Sequence, residues 1–487
     1  MKKNICIIGS GFSALAASCY LAKLGYEVTV FEKNETVGGR ARQWKNQGFT
    51  FDIGPSWYWM PDVFERFFAD FDKKPSDYYE LIKLNPAYRV HFGKEDNITI
   101  KDNLAEIISE FESIEKGSGA ALQEFIQDAK ENYDIAIKDL VYKPGVSALE
   151  LVTPKTIQKL GQFATTIKST VKQKIKNRKL QQVLEFPVLF LGAKPADTPA
   201  FYNFMNYADF GLGTWYPKGG MYKVVEAMEA LAKELGVKIK TSANVEKIIV
   251  KNKKAIGIQV NGQELNYDVV LSGADYHHSE QLLNPSDRAY SETYWSKKTF
   301  APSSLLFFVG FDKKLTDLHH HELFFDVDFD THAKDIYDDP KWPKEPLFYA
   351  SFPSVTDNTI APEGKEIGFF LIPLAPGIED TNELREQYFE KIIQRFEKIT
   401  NQEVKSHILF KKSYCKNDFV TDYNSYKGNA YGMANTLLQT AFLRPKIKSK
   451  KVENLYFTGQ LTVPGPGVPP ALISGKLASE LIYKYVK

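Results

Sequence analysis

Glycines at positions 9 and 11, followed by Ala14, have the spacing of a turn whose backbone N–H groups close on a phosphate. Gly9 permits the tight turn, and Gly11 lets the backbone approach a pyrophosphate. Ala14 keeps the third position small, so that helix and strand can pack closely. Glu32 stands where a carboxylate accepts hydrogen bonds from a ribose 2′-hydroxyl, and it would repel a 2′-phosphate. A second glycine pair, Gly38-Gly39, precedes Arg40, a permanent positive charge suited to phosphate. The loop "GFTFDIGPS" then brings Asp52 and Gly54-Pro55-Ser56, another small-residue stretch against which a ligand can lie. Together these groups describe a dinucleotide site larger than one phosphate turn needs.

The elements that must position these residues are also legible. The apolar run from Lys3 to Ile8 predicts a buried parallel strand, and Ala14 to Leu24 predicts a helix closed by Gly25. Glu27 to Phe31 predicts the next strand, completing a strand–helix–strand unit. At the far end, "NLYFTGQLTVPGPGVPPALISG" reads as a strand, a Gly/Pro loop and a helix opened by Pro469-Pro470. That helix runs on through Leu472, Leu477 and Leu481, and its N-terminus carries partial positive charge. A nicotinamide coenzyme leaves at every turnover and needs no such enclosure, so the double glycine arrangement points to a resident flavin dinucleotide. The helix N-terminus would then stabilise negative charge on the reduced flavin ring.

A chain of 487 residues predicts two or three domains. Its 43% hydrophobic and 25% charged residues describe a globular protein, and a net charge of +2 argues against nucleic acid as a partner. Cys6, Cys19 and Cys415 form no CxxC pair, which fits a reducing cytoplasm with small buried thiols. No secretory leader is expected, and no apolar run reaches the roughly 18 residues of a membrane span. The tract His319-His320-His321 reads as the start of a strand, with no metal expected.

The series GxGxxA, Glu32, GGR and DxGP resembles the large flavoprotein family that includes amine oxidases, protoporphyrinogen oxidase and phytoene desaturases. Residues 454–475 are similar to the bacterial carotenoid desaturase signature at Asn454, Tyr456, Phe457, Gly459, Thr462, Pro464-Gly465, Gly467, Val468 and Ser474. They depart from it at Gln460, Leu461, Val463 and Pro466. Residues 214–250 resemble a second cofactor-proximal segment, in which Val245 matches a residue that meets the adenine through its backbone. The resemblance spans nearly the whole chain and is weakest over about 104–180.

What the resemblance implies is specific. FAD would be held by Gly9, Gly11, Ala14, Glu32, Gly39, Arg40, Gly54, Pro55, Ser56, Val245, Gly459, Gly467 and Val468. The implied fold is α/β: a Rossmann-like FAD domain from residues 1–75, 212–280 and 440–487, and a discontinuous α+β substrate domain from 76–105 and 281–439. Residues 106–211 would form a helical lid and membrane-docking region. The implied activity is desaturation of an acyclic carotenoid such as phytoene, with hydride transfer to flavin N5 and a quinone or oxygen as final acceptor. A polyene spreads the positive charge left behind, so no acid–base dyad is expected and none is found. The alternatives are 3,4-desaturation of a 1′-hydroxylated or monocyclic carotenoid of the γ-carotene type, flavin-dependent cis–trans isomerisation, and a catalytically silent carotenoid binder.

Two further stretches carry expectations about substrate and membrane. Trp57, Tyr58 and Trp59 follow the DxGP loop directly, either as core packing or as a flat apolar wall for a polyene. Between Pro154 and Leu180 lie eight Lys or Arg residues and no acid, with Ile157, Leu160, Ala164, Ile167, Val171 and Ile175 at helical spacing. That pattern predicts either a solvated face or an interfacial helix whose Lys168, Lys172 and Lys176 meet anionic lipid. The expected location is cytoplasmic and peripheral on the cell membrane, where the substrate would be drawn from lipid.

Overall fold

The segment NICII is apolar on both faces, as a central parallel strand has to be. In the computed structural model, which describes residues 2–486, it forms β1 (Asn4–Ile8). Chain order then gives α1 (Phe12–Lys23), β2 (Glu27–Phe31), α2 (Tyr222–Glu234), β3 (Lys238–Lys240), β4 (Val269–Ser272), β5 (Leu455–Phe457) and α3 (Val468–Tyr485). The five strands make one parallel sheet in the order β5-β4-β1-β2-β3. Its members come from the start, the middle and the far end of the chain, so the sheet closes only when distant segments meet.

Small residues set how closely its helices approach. A Cβ on Gly273, just past β4, would stand 2.7 Å from the Ala14 Cβ, and one on Gly475 would stand 2.4 Å from the Ser13 carbonyl. Ala14 is therefore a packing residue beneath the glycine turn, with α3 seated directly on α1.

A seven-stranded mixed sheet makes the second layer, in the order 408–414, 303–311, 366–374, 348–351, 321–324, 88–93 and 96–100. Strand Ser303–Phe311 is buried at every position. On one face Leu305, Phe307, Val309 and Phe311 pack with Phe389, Ile392 and Phe396 of the helix Asn382–Thr400. On the other face Ser304 and Leu306 look into a cavity. A strand covered on both sides needs no polar alternation, which is why its sequence, SSLLFFVGF, reads as one apolar run. A three-stranded antiparallel sheet (245–251, 254–260 and 263–266) flanks the cofactor layer, and a mostly helical stretch from Leu104 to about 211 covers the cavity.

The basic stretch does not form the single amphipathic helix its spacing predicts. It is broken into helices Pro154–Gln158, Leu160–Ala164 and Ile167–Lys174. Thr153 and Thr166 each cap a new start, accepting from the N–H groups of Thr156 and Ser169. Ile167, Val171 and Ile175 are fully buried, whereas Ile157 and Leu160 are exposed, so no common face joins them. The missing local acids are supplied from afar. Lys159 pairs with Asp128 and Glu131, Lys168 with Asp330, Lys174 with Glu124, and Lys179 with Asp96. The interfacial helix expected over 157–175 is thus corrected to a set of short helices with core and ion-pair roles.

Candidate functional site

One cavity of about 860 Å³ runs from the carboxyl end of the parallel sheet to the helical cover. At the sheet end its wall is the backbone of three loops: Gly9 to Ser13, Gly38 to Ala41, and Gly54 to Ser56. Gly9 has φ +87° and Gly39 φ +55°, conformations that favour glycine. A Cβ on Gly39 would lie 3.2 Å from the Gly11 Cα, and one on Gly54 only 2.1 Å from the Arg40 carbonyl. The GGR and DxGP loops are therefore stacked against the first glycine turn. That close stacking answers why a second glycine pair is needed.

Both long helices that open on this cavity lack a side-chain cap. The Gly11 start of α1 and the Gly467 start of α3 have no capping hydrogen bond and no acid in the first turn. Both starts carry partial positive charge; α1 adds the free N–H groups of its first turn, whereas Pro469 and Pro470 leave α3 only those of Gly467 and Val468. Arg40 is half-buried in the wall, donating through Nη2 to Ser425 Oγ at 3.1 Å, while its buried Nε has no partner. Nearby Asp275 is held above the usual carboxylate range by burial, opposed by the Arg40 charge. At the other side of this end, Val245, Asn244 and His278 line the wall. Burial and then the Lys33 charge draw His278 down to about 4, so it is neutral at physiological pH.

Glu32 has more to do than meet a ligand. Its Oε2 accepts from the Ser10 N–H at 2.9 Å and from Ser10 Oγ at 2.6 Å, and its Oε1 accepts from the N–H and Nδ2 of Asn34. It ties the glycine turn to the end of β2, and a ribose hydroxyl would share those oxygens. Asp52 faces away from the ligand: it accepts from the N–H groups of Met221 and Tyr222 and so caps α2. Burial nevertheless pushes its carboxyl up to about 7.

Of the residues proposed from sequence, Gly9, Gly11, Glu32, Gly39, Arg40, Gly54, Pro55, Ser56, Val245, Gly459, Gly467 and Val468 all line this one cavity, and Ala14 does not. Trp57 and Trp59 line it as well, whereas Tyr58 points the other way. Tyr58 is 1% exposed, stacks on Phe64 at 4.2 Å and meets the Tyr79 hydroxyl at 2.9 Å. The aromatic wall is therefore two tryptophans, and Tyr58 is core: extended backbone sends alternate side chains to opposite sides.

The far half of the cavity is apolar. Phe186, Phe190, Phe201 and Phe204 roof it, and Leu306, Leu371 and Tyr349 of the large sheet form its floor. Trp57 is fixed there by a parallel stack on His321, with centroids 4.0 Å apart. His321 Nδ1 meets the Tyr349 hydroxyl at 2.7 Å, and that hydroxyl donates to Ser56 Oγ at 3.0 Å. The histidine tract thus supports the wall from behind. Nothing local in the sequence marks this pairing, because Trp57, His321 and Tyr349 come from three separate segments. Asp275 and Tyr276 were likewise missed, although a strand ending in Ser272-Gly273 is a signal that could have found them.

Comparison with known proteins fits this geometry. Residues 12–483 match the family described as flavin containing amine oxidoreductase. This chain belongs to that family. Its cofactor is FAD, and the cavity fits it: a backbone cradle that side chains would fill, two uncapped helix starts and a half-buried arginine whose buried Nε is unpartnered. A carotenoid 3,4-desaturase of Haloarcula japonica is 41% identical over 488 residues, covering 99% of this chain and 98% of the relative. A 4,4′-diapophytoene desaturase (4,4′-diaponeurosporene-forming) of Staphylococcus aureus strain Newman is 34% identical over 509 residues, covering 99% of each chain. Among solved structures, an oxidoreductase from Methanosarcina mazei aligns with TM-score 0.67 at 17% identity, covering 98% of this chain and 100% of its own. An engineered putrescine oxidase aligns with TM-score 0.64 at 12% identity, covering 99% of both chains. These last two likenesses concern the fold alone.

Proposed function

We propose that this protein is an FAD-dependent carotenoid desaturase that removes two hydrogens from adjacent carbons of an acyclic carotenoid, phytoene or a partly desaturated product. The observation that carries the reading is an apolar, aromatic-lined chamber continuous with a dinucleotide cradle, in a chain whose full-length relatives are carotenoid desaturases. When bound, FAD supplies a hydride acceptor at N5. Gly9, Gly11, Gly39, Arg40 and Gly54 to Ser56 hold its pyrophosphate and ring system, Glu32 its ribose, and Val245 its adenine. Gly459, Gly467 and Val468 bring the start of α3 to the ring. Trp57 and Trp59 hold one bond of a polyene against that ring, and the phenylalanine roof keeps water out. In this reading residues 1–75, 212–280 and 440–487 form the cofactor unit, 76–105 and 281–439 the substrate unit, and 106–211 the lid.

A second reading, 3,4-desaturation of a hydroxylated or monocyclic carotenoid, is favoured by the identity of 41% to a 3,4-desaturase. Both readings predict products lighter by two hydrogens per step. Cells accumulating phytoene, or alternatively a hydroxylated γ-carotene, separate them by which substrate is consumed. In vitro, the carotenoid alone should bleach the flavin band under anaerobic conditions, and a quinone or oxygen should restore it. Geometric isomers of unchanged mass as the sole product would sink desaturation and favour isomerisation.

The substrate would be taken from a lipid surface. No helix of the described residues is long and apolar enough to cross a membrane. The contact is better sought between residues 146 and 160 than in the later part of the basic stretch, where Ile167, Val171 and Ile175 are buried. Val146, Leu149, Val152, Ile157 and Leu160 are all exposed, with Leu149 at 78% and Leu160 at 61%. Val152, Ile157 and Leu160 also line the cavity, so the exposed apolar rim continues into the chamber. A peripheral position on the cell membrane would let a water-insoluble chain pass from lipid to chamber along one apolar path.

A further inference from the structure

Arg444 lies outside every motif discussed above and is among the largest fully buried side chains. Its Nη1 donates to the Gln460 carbonyl at 3.0 Å, and its Nη2 donates to the Met433 carbonyl at 2.8 Å and to Asn435 Oδ1. Its Nε has no partner. All the acceptors are neutral, and among the described residues no carboxylate forms an ion pair with it. Burial draws its pKa down to about 10, with only the Tyr202 and Tyr294 hydroxyls acting the other way, so it remains a cation at neutral pH. The other buried arginine is compensated: Arg89 has Glu322. An uncompensated charge in the interior is costly, and a fold that keeps one has a use for its field.

Its position suggests that use. Gln460 and Asn435, which it holds, both line the cavity, and a Cβ on Gly465 would come within 3.2 Å of its Nη2. The guanidinium therefore stands directly behind the loop 459–467, which leads into the uncapped start of α3. Gly459, Gly467 and Val468 are the wall in front of it.

We infer that Arg444 is a positioning and charge-tuning residue for the flavin: it pins the 459–467 loop and keeps behind it a positive charge that favours the electron-rich reduced cofactor over the oxidised one. The inference concerns FAD and stands whichever carotenoid is the substrate. A residue that only pinned the loop would leave the equilibrium between oxidised and reduced flavin where it was.

The test is the two-electron midpoint potential of the purified holoprotein, measured by equilibration with a reference dye, together with the FAD content per chain. Arg444→Gln should lower the reduced-to-oxidised ratio at fixed potential at least tenfold, about 30 mV for a two-electron couple. Arg444→Lys keeps the charge and loses the planar fork. It should hold the parent potential to well within that shift. If Arg444→Gln retains no FAD, Arg444→Met, which fills similar space without a polar atom, serves as the neutral variant. A neutral variant with the parent potential overturns the inference, and so does a lysine variant that falls as far as the neutral one.

Discussion

The two ends of the cavity are built from different materials. At the sheet end the wall is backbone: glycine turns stacked so closely that a Cβ on Gly39 would lie 3.2 Å from the Gly11 Cα, helix starts without caps, and one arginine. At the roof end the wall is rings, with Trp57, Phe186 and Phe190 in mutual contact and Phe190 edge-on to the other two. A backbone wall binds through fixed N–H groups and has no tolerance for an added Cβ. A ring wall binds through shape and apolar area, and it can be recut by exchanging one ring for another. Under the proposed function, the end of the cavity that would hold FAD is therefore the rigid half, and the end that would hold the polyene the adaptable half.

The sharpest break in that comparison is Gly54→Val. With the first side-chain atom already 2.1 Å from the Arg40 carbonyl, the loop must move, and the purified protein should carry almost no FAD. Retention of parental flavin absorbance per chain would contradict the rigid-half account. Trp57→Ala should do the opposite, keeping FAD while losing most carotenoid turnover. It removes the stack on His321, and its cost in stability should fall toward the low end of the ~3–5 kcal/mol typical of buried tryptophan, because Trp57 is only half-buried. Flavin content and thermal unfolding measured together separate the two variants.

Beyond the cavity wall, Asp209 gives a prediction in pH. Its Oδ2 accepts from the Tyr88 hydroxyl at 2.7 Å and its Oδ1 has no partner; burial pushes the carboxyl up to about 8. In the unfolded chain it titrates near ~4. Between these values the folded state holds a proton that the unfolded state has released, so this group's contribution to stability falls as pH rises from about 4 to about 8. Asp209→Asn should flatten that decline by an amount on the order of a few kcal/mol, seen as a smaller difference between unfolding midpoints at pH 5 and pH 8. An unchanged difference would mean that Asp209 is ionised in the fold. The smallest effects belong to the surface. Leu149→Asp with Leu160→Asp should reduce sedimentation with lipid vesicles and leave FAD content intact. Lys168→Glu breaks an exposed pair worth about 0–1 kcal/mol and should leave sedimentation unchanged. The reverse ranking would restore the basic stretch as the docking surface.

The same contrast explains what could be read from sequence. Gly9, Gly39 and Gly54 announce themselves because glycine alone suits such turns and crossings, and Gly11 announces itself by its spacing, so residue type and local spacing carry the information. They gather in one cavity with Val468, which follows the last strand of the parallel sheet, and Val245, which opens the flanking antiparallel sheet. The ring end was only partly legible. The role of His321 depends on Trp57 and Tyr349, which lie more than two hundred residues from one another in sequence, and a phenylalanine in a roof looks like one in a core. The helical stripe misled for a related reason: Thr153 and Thr166 restart the helix, and the acids that neutralise its lysines lie in other elements. Arg444 was invisible because its significance is an absent partner.

The seat of α3 on α1 sets an order of events during synthesis. Gly475 meets Ser13, and β5 pairs with β4, so β1 and α1 wait for residues 455–485 before their layer is complete. Domains generally begin folding as they emerge. Here β1 and α1 are made long before β5 and α3, and the layer that would take FAD is completed only when the later segment arrives. Until then, the apolar faces of β1 and α1 are what a chaperone would find.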